Sequence, residues 1–197
     1  EVCVVTDSDE IIEVLKKYSI KFFKSSKHYE TGTDRISEFV NNFNCDIIIN
    51  VQGDEPFINK SDLNLIIQNF KEDYKNEIEA ISLKTLIKND NEINNPNNVK
   101  VITDINSNAI YFSRLALPYN RLGNEIKYYK HVGIYAFRKK ALLKFSNLKK
   151  SELEKSEMIE ALRFVENGMK IKILEVKNNY IGICLLYTSP SPRDSVV

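Results

Sequence analysis

The sequence predicts an α/β fold: an open, mostly parallel sheet in three layers that carries a mixed-strand insertion. Three observations predict it. Short β-branched runs alternate with segments of helical spacing over the first 70 residues. The run "DIIINV" (46–51) is apolar without alternation, as expected of a central parallel strand covered on both faces. From residue 79 the rhythm changes to successive strand-like stretches with few helices among them.

In chain order, "VCVVT" (2–6) reads as a strand ending at Asp7, and "DEIIEVLKKY" (9–18) has helical apolar spacing. "IKFFK" (20–24) is a second strand. "TGTDRISEFVNNF" (31–43) reads as one helix with Thr33 as N-cap and a stripe of Ile36, Phe39, Val40 and Phe43. "KSDLNLIIQNF" (60–70) is another capped helix. Strands are expected at 79–87, 98–104, 108–114, 130–138 and 170–176, with the Asn-rich 89–98 as a surface loop. "KKALLKF" and 155–168 return to helix, the latter closing on Gly168 as the C′ residue.

The chain opens inside a strand, "EVCVVTD", which suggests a missing N-terminal piece. The tail "CLLYTSPSPRDSVV" (184–197) abandons the strand–helix grammar and reads as non-native, adapter-like or read-through text. One domain is therefore expected over 1–183.

Composition narrows the classes. With 28 Lys and Arg against 27 Asp and Glu, the net charge is +1, so no concentrated basic surface speaks for nucleic acid or a membrane surface. No apolar stretch approaches 18 residues. Cys3, Cys45 and Cys184 are far apart and lack C-x-x-C spacing, which argues against a zinc site or a disulfide framework and for a reducing cytosol.

The stretch "NVQGDEP" (50–56) ends an apolar run with two adjacent carboxylates, costly neighbours unless a cation or donor stands nearby. In open α/β sheets ligands bind outside the carboxyl ends of strands. Asp7 and the group Gln52, Gly53 and Asp54 occupy two such ends. A turn or helix-capping role for Asp54 is weighed equally on this ground alone.

Several stretches in series carry a resemblance: "VVTDSDEI", "TGTDRISE", "NVQGDEPFI", "NPNNVKVITD", "AIYFSRLALPYNR", "KHVGIYAFRKKAL" and "LEKSEMIEALRFVENGMKI". Taken together, from residue 1 to about 183, they resemble the 3-deoxy-manno-octulosonate (Kdo) cytidylyltransferase family. The resemblance implies a three-layer nucleotidyltransferase with a Rossmann-like sheet and a dimerisation insertion near 98–138. It implies a Mg²⁺-dependent reaction in which CTP and an acidic eight-carbon sugar give a CMP-sugar and pyrophosphate. A cytoplasmic homodimer feeding lipopolysaccharide assembly is the expected setting.

Carried over residue by residue, the resemblance makes Asp54 the Mg²⁺ ligand and, in that role, the catalytic residue. It makes Gln52, Gly53, Thr31, Gly32 and Arg35 the nucleotide side. Arg114 and Arg121, around the Pro of "YFSRLALPYNR", line the sugar side, where a planar guanidinium suits a carboxylate. His131, Tyr135 and Glu160 face the sugar as well. Taken by themselves, the arginines read as surface ion pairs, Tyr135 as a core residue and Glu160 as an exposed mid-helix acid. Glu55 is either an acid supporting the metal ligand or merely a charge, and His28 is a surface residue.

Ala161 stands where the family commonly has Gln beside the Glu. That change leaves open an 8-amino or otherwise modified ulosonate. A sialic-type sugar is a second alternative, and a catalytically silent nucleotide- or sugar-binding protein a third. The family's phosphate-binding loop would lie upstream of residue 1, and its second metal-ligating Asp near 182–183, so the chain is expected to lack both.

Overall fold

The computed structural model describes residues 1–178 and 180. The expectations for the tail and for a second acid near 182–183 fall outside the described residues.

The first βα unit follows the sequence closely. Strand β1 (Val4–Thr6) leads through Ser8, whose hydroxyl accepts from the Ile11 N–H, into helix α1 (Asp9–Lys17). Strand β2 (Phe22–Lys24) then pairs parallel with β1. Helix α2 (Gly32–Ser37) is much shorter than expected, and its N-cap is Thr31 rather than Thr33. The chain leaves helical geometry after Ser37 and makes only a 3₁₀ turn at Val40–Asn42. There the Glu38 carboxylate accepts from the hydroxyls of Ser25 and Ser26, and β-branched Val40 and two asparagines favour other conformations.

The main sheet is mixed. Strand β3 (Ile47–Val51) ends at the "QGDE" segment, and Asn59 caps α3 (Lys60–Glu72) behind it. Strand β4 (Ala80–Leu86) is followed by the short α4 (Asp90–Ile93) inside the Asn-rich segment read as loop. Strands β5 (Lys100–Thr103) and β6 (Ala109–Ser113) form an antiparallel pair. The ten-residue β7 (Tyr129–Arg138) runs antiparallel between β3 and β4, and β8 (Ile171–Val176) pairs parallel with β4. By these ladders β3, β4, β5 and β8 share one direction, while β6 and β7 oppose it. The reading of 46–51 as a strand among parallel neighbours is corrected, because β3 takes its ladder from β7. Ile48 of β3 packs against one apolar cluster and Ile47 and Ile49 against the other, so an unalternating run reports two covered faces and not strand direction.

One cluster gathers Phe112, Tyr135, Phe137, Phe145, Leu162 and Phe164 on the side of α5 (Lys139–Ser146) and α7 (Ala161–Glu166). The other gathers Ile66, Phe70, Ile81, Val132 and Ile134 on the side of α3. The expected single helix over 155–168 is two, α6 (Glu152–Glu157) and α7, separated by Met158 in the left-handed region at φ 54°. Arg114 explains the break. Its Nε donates to the Glu157 carbonyl at 2.7 Å and its Nη2 to the Met158 carbonyl at 3.5 Å, claiming acceptors that a continuous helix would need. Gly168, at φ 67°, follows α7 as expected. Among the described residues no helix is long and apolar enough to cross a membrane.

Candidate active site

At the carboxyl end of β3 the chain turns over Gly53, with the Glu55 N–H donating to the Gln52 carbonyl at 3.0 Å. The two adjacent acids part company there. Asp54 is exposed, and its carboxylate has no hydrogen-bond partner among the described residues. Glu55 is 7 % exposed and turns inward, where its Oε1 accepts the Gly133 N–H at 3.2 Å. Burial pushes the Glu55 carboxyl above its ordinary range, with the Gly133 N–H partly opposing. Glu55 thus anchors β7 and leaves Asp54 as the acid free to meet a ligand. Gly133 suits the close approach here, since a Cβ would meet Gln52 Oε1 at a tight 3.3 Å and Glu55 Oε1 at 3.5 Å, so the Gln52 side chain would have to give way slightly.

Glu160 stands at the N-cap of α7, beside the helix break and not in mid-helix as expected. It is 9 % exposed, and its two oxygens are engaged from across the fold. Oε1 accepts the Thr33 hydroxyl at 2.7 Å and Gln52 Nε2 at 3.2 Å, while Oε2 accepts the Thr33 N–H at 3.3 Å. Asn50 Nδ2 reaches the same Thr33 hydroxyl at 3.4 Å. Burial raises the Glu160 carboxyl, and hydrogen bonds from Thr33 and Thr31 work against that rise. Thr31 caps α2 through the Asp34 N–H. Arg35 donates from Nη2 to Asp7 at 3.2 Å, while its Nε is buried without a partner among the described residues. His28 is exposed, with Nδ1 3.5 Å from the same Asp7 carboxylate.

On β7, His131 and Tyr135 share one face. The pairing with β4 shifts by two residues between Ser82 and Leu83, which preserves the alternation, and the rings lie 5.3 Å apart. Both are buried. Burial first, then the carboxylates of Glu160 and Asp54, push the Tyr135 phenol well above its ordinary value, so it stays a hydroxyl donor. Burial pulls His131 down to about 3, so the ring is neutral.

Arg114 and Arg121 are not brought to this group. The Arg114 fork is spent on carbonyls of Pro96, Glu157 and Met158. Arg121 is exposed in the segment between β6 and β7. Ala161, fully buried in the apolar cluster, offers only a methyl group beside Glu160.

Sequence reasoning missed four participants. Thr33 is a Glu160 partner rather than a cap, and Asn50 is the one fully buried residue of β3. Arg163 is 3 % exposed, forks onto Asp34 at 2.8 and 2.9 Å and onto Glu154 at 2.7 and 2.6 Å, and lies over the Phe145 ring. It ties α2 to α6 and α7. Lys100, buried, donates to the carbonyls of Asn95, Asn98 and Arg114. The available signal was a polar residue set inside an apolar run: "IIINV" for Asn50 and "ALRFV" for Arg163.

Known proteins bear on this geometry. The cytidylyltransferase family model matches residues 1–171. A 3-deoxy-manno-octulosonate cytidylyltransferase from Christiangramia forsetii is 47% identical over 184 residues, 93% of this chain and 74% of that protein. One from Flavobacterium johnsoniae is also 47% identical over 184 residues, 93% of this chain and 75% of the relative. The solved structure of CMP:2-keto-3-deoxy-manno-octonic acid synthetase complexed with CTP superposes with a TM-score of 0.85 at 34% identity, covering 93% of this chain and 75% of that one. The chain belongs to the cytidylyltransferase family of nucleotide-transferring enzymes, among the 3-deoxy-manno-octulosonate cytidylyltransferases.

Proposed function

We propose that residues 1–183 form a domain that transfers the cytidylyl group of CTP to a Kdo-like acidic sugar, releasing pyrophosphate. The observation that carries this reading is the meeting of Gln52 and Thr33 on the Glu160 carboxylate. It sets the β3 end, with exposed Asp54, against the buried polar group of α7 and β7. The relatives' names and the CTP complex of the solved relative support the same substrates.

In this reaction the anomeric hydroxyl oxygen attacks the α-phosphorus and the bond to the β-phosphate oxygen breaks. The protein's share is positioning and charge complementarity. Gln52 and Gly53 receive the nucleotide with Thr31 and Gly32, and the orphaned Arg35 Nε is a buried donor that a nucleotide oxygen would satisfy. Tyr135 donates a hydrogen bond to a sugar hydroxyl oxygen, and Glu160 accepts hydrogen bonds from sugar hydroxyls. Arg121 is the exposed fork free to reach the sugar carboxylate; Arg114 acts from behind by shaping the helix break.

The residues present suit magnesium in one way. No group of three or more His, Cys, Asp and Glu side chains among the described residues could hold a metal unaided. A single free carboxylate fits an ion whose other ligands are phosphate oxygens and water. Asp54 would hold it, and the ion would supply positive charge at the triphosphate.

A homodimer fits the exposed Ile110, Leu115, Tyr119 and Leu122 of the insertion, and sedimentation would read it directly. The free thiols of Cys3 and Cys45 suit a reducing cytoplasm.

The test is pyrophosphate release with Mg²⁺ and CTP over a panel of Kdo, 8-amino-Kdo and a sialic acid, with Asp54→Asn as control. Turnover with one ulosonate, lost in the control, is expected. A folded protein that binds CTP but releases no pyrophosphate with any sugar would overturn the reading. The panel includes 8-amino-Kdo because Ala161 withholds a hydrogen-bonding side chain at the buried end of the site.

A further inference from the structure

The bulge in β7 is a small machine for holding one ring. Where β4 and β7 shift register, between the pairs Ser82–Tyr135 and Leu83–Val132, Gly133 and Ile134 have no partner on β4, and polar groups along the bulge are met by side chains. Glu55 takes the Gly133 N–H. Ser82, on β4, serves the rest. Its Oγ lies 2.8 Å from the Ile134 carbonyl, 3.3 Å from the Val132 carbonyl and 2.8 Å from His131 Nε2.

A hydroxyl has one proton, and a carbonyl can only accept. The Ser82 proton must therefore point to the backbone carbonyls, because otherwise two oxygen lone pairs would face each other at 2.8 Å inside the core. Ser82 Oγ then has only lone pairs to offer the imidazole, and the short contact requires His131 Nε2 to carry the proton. A neutral ring with hydrogen on Nε2 has a bare Nδ1. Phe112, edge-on at 4.9 Å, and Tyr135 hold the ring from two further sides. Nδ1 has no hydrogen-bond partner among the described residues.

We propose that Ser82 is a positioning residue that fixes His131 as the Nε2–H tautomer and so presents Nδ1 as a pure acceptor for a hydroxyl of the acidic sugar. The hydroxyl half of this statement rests on the functional reading above; the tautomer half does not. The consequence is for specificity. His131 would recognise a sugar O–H and contribute nothing to holding the sugar carboxylate, which falls to a guanidinium.

Nitrogen-15 NMR of the imidazole rings tests it. The chain has two histidines, so a His28→Gln variant identifies the His131 signals by difference. Expected are a pyrrole-like Nε2 and a pyridine-like Nδ1 in the wild type, unchanged in Ser82→Thr, which keeps the oxygen. Ser82→Ala should give a mixture of tautomers. Added Kdo should move the Nδ1 signal upfield in the wild type. In turnover assays Ser82→Ala should raise the KM for the sugar roughly five- to tenfold with kcat and the KM for CTP little changed, the size of one neutral hydrogen bond. Ser82→Thr should restore it.

A wild-type ring protonated on Nδ1, or a tautomer indifferent to Ser82→Ala, would overturn the proposal from spectra of the wild type and one variant, even if that variant is weakened in folding. Kdo that binds with the Nδ1 signal unmoved would overturn the hydroxyl contact. If no acidic sugar binds at all, the functional reading fails and takes the hydroxyl contact with it, while the spectra of the free protein still decide what sets the tautomer.

Discussion

Asp54 and Glu160 are two acids held in opposite ways. Asp54 stands in solvent at a strand end with no hydrogen-bond partner among the described residues, whereas Glu160 is buried and accepts three hydrogen bonds from Thr33 and Gln52. The exposed acid costs the fold little and is available to a cation. The buried acid is costly by itself, and it is kept by a scaffold: Arg163 fastening α2 to α6, Arg114 holding the helix break, Lys100 behind Arg114. A cation-binding carboxylate must not be satisfied in advance, and a carboxylate that reads hydroxyls must be oriented in advance. On the proposed function the two acids would serve those different duties.

Four changes would break or sharpen that contrast. Arg163→Met should have the largest effect. It strands Asp34 and Glu154, and removing one partner from a buried ionic cluster costs about 3–5 kcal/mol, read as a lowered urea midpoint. Asp54→Asn should do the reverse, leaving the melting curve in place while pyrophosphate release falls about a hundredfold or more, about 3 kcal/mol at the transition state. If Asp54→Asn unfolded the protein, the proposed division of labour would be wrong.

Glu160→Gln comes next. One amide nitrogen must face a donor among Thr33 and Gln52, so stability should drop by about 1–3 kcal/mol and the KM for the sugar should rise. Glu55→Gln is the smallest and has the opposite sign. The amide oxygen can still accept the Gly133 N–H, and the buried charge is gone, so a gain of up to about 1 kcal/mol at neutral pH is expected.

The pH dependence fixes that sign. The Glu55 carboxyl is raised in the folded chain above its ordinary 4.5, so the folded state binds the proton more tightly than the unfolded state does. The stability this confers is fully present below the ordinary value and is lost as pH rises through the raised one. Urea unfolding at a series of pH values should show the advantage of Glu55→Gln growing over that window and vanishing in acid. A constant gap would mean that packing, and not charge, separates the two proteins.

Much of the fold was legible because its signals are local. The βα starts, the strand-ending "QGDE", the N-caps of α1 and α3 and the Gly168 stop each depend on a few neighbouring residues and their backbone preferences. The helix over 31–43, beyond the local preferences of Val40 and the asparagines, and the single helix over 155–168 depart from expectation for a shared reason. In each, a distant side chain or segment outbids the local periodicity: Ser25 and Ser26 for Glu38, Arg114 for the carbonyls of Glu157 and Met158. The resemblance to cytidylyltransferases marked Gln52, His131, Tyr135 and Glu160 as functional. It did not show that Glu55 faces inward or that Arg114 is committed to backbone.

The sequence by itself determined the α/β class, the "QGDE" end of β3 and the family, because short-range periodicity and ordered motifs survive without coordinates. Only the tertiary structure decided that β7 runs against β3 and β4, that its bulge is shared by Ser82 and Glu55, and that Thr33 meets Glu160 across 127 residues of chain. Those pairings depend on strand register and on which buried polar groups can satisfy one another, and neither is written in any local pattern.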